Sequence, residues 1–165
     1  TLTTIAGKVQ KALQATTNDS DHTGFWSEKT GRFVAGYSEK EGVWYDYGYL
    51  VWNLEAIYYG VATKAQTKSI MDWVTGERIV EGDTSTGEDI YFFELAPRVN
   101  THQGTNENDV SIYTGIYSDQ KTMVYGVTQC QNGGAIMYSS FYDLMNRING
   151  YGADNAFDRL QAIQV

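Results

Sequence analysis

The 165-residue chain has one cysteine, Cys130, one proline, Pro97, and two histidines, His22 and His102. A lone cysteine forms no internal disulfide, and with two histidines it supplies too few ligands for a structural zinc site. Basic residues are also scarce, 12 Lys plus Arg against 20 Asp plus Glu, for a net charge of -8. A phosphate backbone would be repelled by that balance, which argues against nucleic acid as a partner. No run approaches the roughly 18 apolar residues of a membrane span, and Thr1-Leu2-Thr3-Thr4 has neither the basic nor the apolar region of a signal peptide. The chain therefore reads as soluble, without a membrane partner. Hydrophobic residues make up 42% and charged residues 19%, enough to build one core. The length suits a single domain over 1–165.

Aromatic residues are plentiful: 13 tyrosines, 4 tryptophans and 6 phenylalanines. Such a profile suits a surface that stacks flat ligand faces and offers hydroxyls at its rim.

Helical periodicity predicts a one-sided helix over 4–15 through Leu2, Ile5, Val9 and Leu13, with Thr3 or Thr4 as its cap. Phe25-Trp26-Ser27 and Arg32-Phe33-Val34 flank Lys29-Thr30-Gly31 and predict a short β-hairpin. Residues 50–61 are apolar nearly all round, as an inner helix covered on most sides would be. Thr63-Lys64-Ala65-Gln66 has the capping-box form and opens an amphipathic outer helix over 64–75, so the two helices make an αα-hairpin. The same grammar returns at the C-terminus. Gly133-Gly134 opens an apolar helix through Ile136, Tyr138, Phe141, Leu144, Met145 and Ile148. After Gly150-Tyr151-Gly152 comes an amphipathic helix with Ala153, Ala156, Phe157, Leu160 and Ile163 in a stripe, capped near Asp154. Between the pairs lie residues 77–131, with strand-like runs at Arg78-Ile79-Val80 and Ile90-Tyr91-Phe92-Phe93 in a loop region long enough to suggest function.

Alternating buried and amphipathic helices close naturally into a toroid of helical hairpins with short β-hairpins in long loops, mainly α in class. Segments leading into inner helices would line its mouth, here Trp44-Tyr45-Asp46-Tyr47-Gly48-Tyr49 and Gln129-Cys130-Gln131-Asn132-Gly133-Gly134. Asp89 adjoins Ile90-Tyr91-Phe92-Phe93, an apolar setting that raises a carboxyl pKa and suits a general acid. Asp46, among Trp44, Tyr45 and Tyr47, is the obvious second carboxylate, with a helix N-cap as its other reading. Two carboxylates among aromatics match glycoside hydrolysis, in which one protonates the leaving oxygen and the other activates water or attacks carbon. Trp26, Trp44, Tyr45, Tyr47, Tyr49 and Tyr91 are stacking candidates, whereas core positions are favoured for Trp52 and Trp73. Arg98, Gln131 and Asn132 would grip hydroxyls, and Arg98 would equally hold the acidic loop. Asp83-Thr84-Ser85-Thr86-Gly87 hints at calcium, but its glycine falls one place early, so neither metal nor cofactor is expected. No nucleophile-elbow motif accompanies Ser85, Ser111 and His102, and Cys130 is expected to be buried and inert.

The strings Tyr47-Gly48-Tyr49-Leu50-Val51-Trp52-Asn53-Leu54-Glu55-Ala56, Ile70-Met71-Asp72-Trp73-Val74-Thr75-Gly76, Gly82-Asp83-Thr84-Ser85-Thr86-Gly87-Glu88-Asp89-Ile90-Tyr91, Ala96-Pro97-Arg98 and Gln131-Asn132-Gly133-Gly134 resemble bacterial six-hairpin glycosidases. The resemblance runs in order from about residue 25 onward. It implies an (α/α)6 toroid, an inverting hydrolase acting on an oligosaccharide or polysaccharide, and a pocket at the barrel mouth. It places Asp83, Asp89, Tyr91, Arg98 and Asn132 on motif positions, with Asp89 as acid. At Asn132 some relatives look acidic, so the base is lost, supplied elsewhere, or replaced by a sugar-binding amide. A non-catalytic carbohydrate-binding protein and a structural fragment are the other readings.

Twelve helices need roughly 220 residues, more than this chain has. The expectation is therefore the C-terminal part of a larger barrel, whose exposed apolar flank leads the fragment to self-associate. Any leader would lie outside it, leaving the compartment unknown, with a bacterial periplasmic or secreted location compatible with the resemblance.

Overall fold

A computed structural model describes residues 1–46, 48–81 and 138–163. Tyr47, and with it Asp83, Asp89, Tyr91, Arg98, Gln131 and Asn132, lie outside the described residues, as do the strand-like run 90–93 and the start of the apolar helix at 133–137. The described chain is mainly helical, with five helices and two two-stranded antiparallel sheets.

Helix α1, Leu2–Gln14, begins two residues earlier than its periodicity predicts, because Thr1 rather than Thr3 or Thr4 caps it: the Thr4 N–H donates to Thr1 Oγ1. The predicted hairpin forms as β1, Trp26–Ser27, and β2, Arg32–Phe33, with Trp26 opposite Phe33. Gly31 closes its turn at φ +62. A Cβ there would lie 2.4 Å from Ser69 Oγ, so glycine serves both the left-handed turn and the approach to the next layer. Gly31→Ala should destabilise by about 1–2 kcal/mol in urea melts.

A second hairpin, absent from the sequence expectations, joins β3, Gly36–Ser38, to β4, Val43–Tyr45, with Tyr37 opposite Trp44. After it come α2, Leu50–Tyr58, and α3, Lys64–Val74, the expected αα-hairpin. The capping box forms in full: Thr63 Oγ1 accepts from the Gln66 N–H and Gln66 Oε1 from the Thr63 N–H. Arg78-Ile79-Val80 is not a strand. The Arg78 guanidinium instead donates to the carbonyls of Thr30, Gly31 and Ser69, tying the β1–β2 turn to α3.

The core gathers Trp26, Leu50, Leu54, Ile70, Met71, Trp73, Val74 and Val80. Its sheet side is joined to α2 by buried Asn53, whose Oδ1 accepts from the Phe33 N–H at 2.8 Å and whose Nδ2 donates to the Tyr49 carbonyl at 2.8 Å. Asn53→Ala leaves a buried strand N–H without its acceptor, and urea melts should show a loss of about 2–3 kcal/mol.

Two inner-helix expectations need correction. Helix α2 is not covered on nearly every side: Leu50, Asn53 and Leu54 are buried, but Trp52, expected in the core, is 53% exposed. The Asn53 bonds to Phe33 and Tyr49 fix the helix rotation, and residue 52 then points outward. Trp73 is core as expected.

Helix α4, Tyr138–Tyr151, departs further. Its buried residues are polar, namely Ser139, Ser140, Asp143, Asn146 and Arg147, while Phe141 and Ile148 are exposed. These five recur at helical spacing and form one face. Arg147 Nε donates to Asp143 Oδ2 at 2.8 Å, and Asn146 Nδ2 donates to the Leu54 carbonyl on α2 at 3.0 Å. Hydrogen bonds therefore dock α4 where an apolar stripe was expected.

Helix α5, Ala153–Ile163, follows Gly152 and packs on α4. Asp154 stands in its first turn, inside the helix rather than at its cap, where a carboxylate favours the helix dipole. Of its expected stripe, Ala156 and Ile163 are buried, whereas Phe157 and Leu160 are exposed.

Candidate functional site

The described part of the expected site is the segment from β4 to α2, carrying Trp44, Asp46 and Tyr49. Asp46 is held on three sides. Its Oδ1 accepts from Arg32 Nε at 2.7 Å and from the Gly48 N–H at 3.3 Å, and its Oδ2 accepts a hydrogen bond from the Thr30 hydroxyl. Arg32 is itself buried, with its guanidinium carbon 4.9 Å from the centre of the Trp73 ring. A cation lying on an indole face and facing a carboxylate is satisfied both ways. Asp46 therefore ties the segment entering α2 to β2 and α3.

Asp46 does not cap α2. That place belongs to Tyr49, which makes no side-chain capping bond. Because both Asp46 oxygens are engaged with this chain's own donors, the geometry suits a positioning role better than proton transfer.

The three described aromatic residues around it, Trp44, Tyr45 and Tyr49, join different groups. Trp44 meets Tyr37 edge to face at 5.3 Å, and its indole N–H donates to Asp19 Oδ1 at 2.7 Å. Tyr37 in turn stacks on His22, with ring centres 3.6 Å apart. Tyr45 donates from its hydroxyl to Glu41. Tyr49 rests on Trp52, with ring centres 4.5 Å apart. Trp26 is 6% exposed and belongs to the core, which removes it from the stacking candidates.

A second aromatic group, which sequence reasoning missed, spans α2 and α4. Tyr58 meets Tyr59, Phe141 and Tyr142 edge to face at 5.0 to 5.4 Å. The hydrogen bond with Tyr59, followed by desolvation and the hydrogen bond to Glu55, holds the Tyr142 phenol well above the ordinary tyrosine range. It stays a protonated donor at neutral pH. The signal available was the pair Tyr58-Tyr59 next to Gly60, although periodicity alone does not say which side of α2 faces out.

Beside this group lies a hollow of about 390 Å³ between α1, the sheets and α2, lined by Leu13, Phe25, Phe33, Trp52 and Tyr59, with Glu55 at its edge. Among the described residues, no group of three or more His, Cys, Asp or Glu side chains is placed to hold a metal ion, and no helix is long and apolar enough to cross a membrane.

No known protein family, curated protein or solved structure matches the chain.

Proposed function

We propose that the chain is part of a glycoside hydrolase built on an (α/α)6 toroid, with Asp89 as general acid, Asp83 as the second carboxylate and Asp46 as the group that positions the aromatic entry segment. The observation that carries this reading is the placement of the two αα-hairpins. Helices α2 and α3 form one, α4 and α5 the other, and α2 packs on α4. Adjacent helical hairpins whose first helices pack side by side are the arrangement that a helical toroid would repeat. The Arg32–Asp46 pair supports the second half, because it holds rigidly the segment that carries Trp44 and Tyr49 into α2.

In the proposed reaction Asp89 donates its proton to the glycosidic oxygen as the bond to the anomeric carbon breaks. Asp83 removes a proton from the water that attacks the opposite face of that carbon, giving inversion. Trp44, Tyr47, Tyr49 and Tyr91 offer ring faces to the sugars, and Arg98, Gln131 and Asn132 hold hydroxyls.

The test measures hydrolysis of aryl glycosides and oligosaccharides alongside calorimetric binding. Asp89→Asn should lower kcat by at least 10²-fold while leaving binding intact. Asp46→Asn should lower thermal stability and leave residual turnover well above that of Asp89→Asn. Binding without turnover, unchanged in Asp89→Asn, would establish a carbohydrate-binding protein instead. Absence of both binding and turnover would remove the saccharide reading.

A further inference from the structure

A second hollow, of about 310 Å³, lies where the C-terminal ends of α3 and α4 meet α5. That volume is at the lower end of small-molecule pockets. Helix α5 contributes Asn155, Asp158 and Arg159, which recur at helical spacing on one face. Glu77 follows the end of α3, and Arg147 and Tyr151 stand in the last two turns of α4.

The charges of these residues are not all of one kind. Arg147 is buried and answered internally: its Nε donates to Asp143 Oδ2 at 2.8 Å, and its Nη1 donates to Asn155 Oδ1 at 3.3 Å. The second bond orients the Asn155 amide. With Oδ1 taken, what Asn155 offers a ligand is its NH2 group. The charged groups left for a ligand to meet are the Arg159 guanidinium, whose Nε is shielded from solvent, and the carboxylates of Glu77 and Asp158. Among the described residues neither carboxylate accepts a hydrogen bond or joins an ion pair. Helices α3 and α4 also end here, at Thr75 and Tyr151, with no basic residue in the last turn of either, so each adds the negative pole of its dipole. Burial, followed by the charges of Asp72 and Glu77, holds the Tyr151 phenol above the ordinary tyrosine range, and it remains a neutral donor.

A simple anion would be opposed by two carboxylates and two helix ends, and a simple cation would leave Arg159 and the Asn155 amide without an acceptor. A neutral sugar would leave charges of both signs unanswered. A molecule carrying both signs satisfies all of them. We propose that this hollow binds a small zwitterion of the free amino-acid class, its ammonium held by Glu77 and Asp158 and its carboxylate by Arg159 and the Asn155 amide. The inference is independent of the glycosidase reading, since none of the residues assigned to that chemistry lines this hollow.

Calorimetry on the whole chain with a panel of free L-amino acids tests it, each binder being compared with its N-acetylated form and its carboxamide. At least one free amino acid should bind, and removing either charge should weaken it about 10- to 100-fold, the worth of a hydrogen bond to a charged group. Glu77→Gln and Arg159→Gln should each weaken the free amino acid by a similar factor. In Arg159→Gln the preference for the acid over its carboxamide should disappear, and in Glu77→Gln the preference for the free amine over its N-acetyl form should shrink, readouts that a merely structural role would not move. Glu77 is exposed, so its variant keeps the test open if Arg159→Gln fails to fold. No binding by any free amino acid up to millimolar concentration, equal binding of acid and carboxamide to the wild type, binding indifferent to both variants, or a neutral monosaccharide bound here in place of the amino acid would each overturn the proposal.

Discussion

Replacing Arg32 by alanine should destabilise the fold by about 3–5 kcal/mol, because it strands a carboxylate and empties the space over an indole. Arg32 has a side chain only 3% exposed, and its Nε lies 2.7 Å from Asp46 Oδ1. The expected loss sits toward the lower end of that range, since the Asp46 side chain keeps 18% exposure and water can partly reach it. Arg32→Lys keeps the charge but not the planar group lying on Trp73, and should cost about half as much. Urea unfolding monitored by tryptophan fluorescence measures both. A loss below about 1 kcal/mol for the alanine variant would mean that the pair does not hold the segment entering α2.

The second large effect concerns the Asp143–Arg147 pair on α4. The Asp143 side chain is fully buried and that of Arg147 is 3% exposed. Removing either partner leaves a charge in a dry site, so Asp143→Ala and Arg147→Ala should each cost about 3–5 kcal/mol. Replacing both with apolar side chains of similar volume, Asp143→Leu with Arg147→Met, should cost less than either single change, because desolvation is lost together with attraction. Part of the cost persists, since Arg147 also donates to Asn155 Oδ1 on α5 at 3.3 Å. Strictly additive effects would show that the two residues act separately.

These two pairs also show where the sequence was readable. Helix α3 could be placed to within a residue because its start is local chemistry, the Thr63–Gln66 capping box, and its stripe repeats at helical spacing. The β1–β2 hairpin was equally local, with Gly31 at its turn. Asp46 was legible as an acid among aromatics, but its role depends on Arg32, 14 positions away, and on Trp73 beneath that arginine. No spacing rule joins such residues. Helix α4 departs from its expected apolar stripe for a related reason. Its apolar residues recur at helical spacing, yet Asn146 bonding the Leu54 carbonyl and the internal Asp143–Arg147 pair bring the polar side inward. Trp52 followed the same logic: Asn53 chose the rotation of α2, and the indole was carried outward. The β3–β4 hairpin escaped notice because its turn, Glu39-Lys40-Glu41-Gly42, is charged and its strands are only three residues long. Of the site itself, Trp44, Asp46 and Tyr49 are described, and both Asp46 oxygens accept hydrogen bonds from within the chain, from Arg32 and Gly48 at Oδ1 and from Thr30 at Oδ2.

The proposed chemistry needs its carboxylates, its aromatic entry segment and a sugar in one place. A crystal structure of the chain with a bound oligosaccharide tests this most directly. The account predicts a sugar ring against Tyr49 or Trp44, Asp89 within hydrogen-bond reach of a glycosidic oxygen, and Asp83 about 6.5–9.5 Å from Asp89 with room for a water between them. A sugar bound away from the β4 to α2 segment, or carboxylates too far apart to share one glycosidic bond, would contradict it.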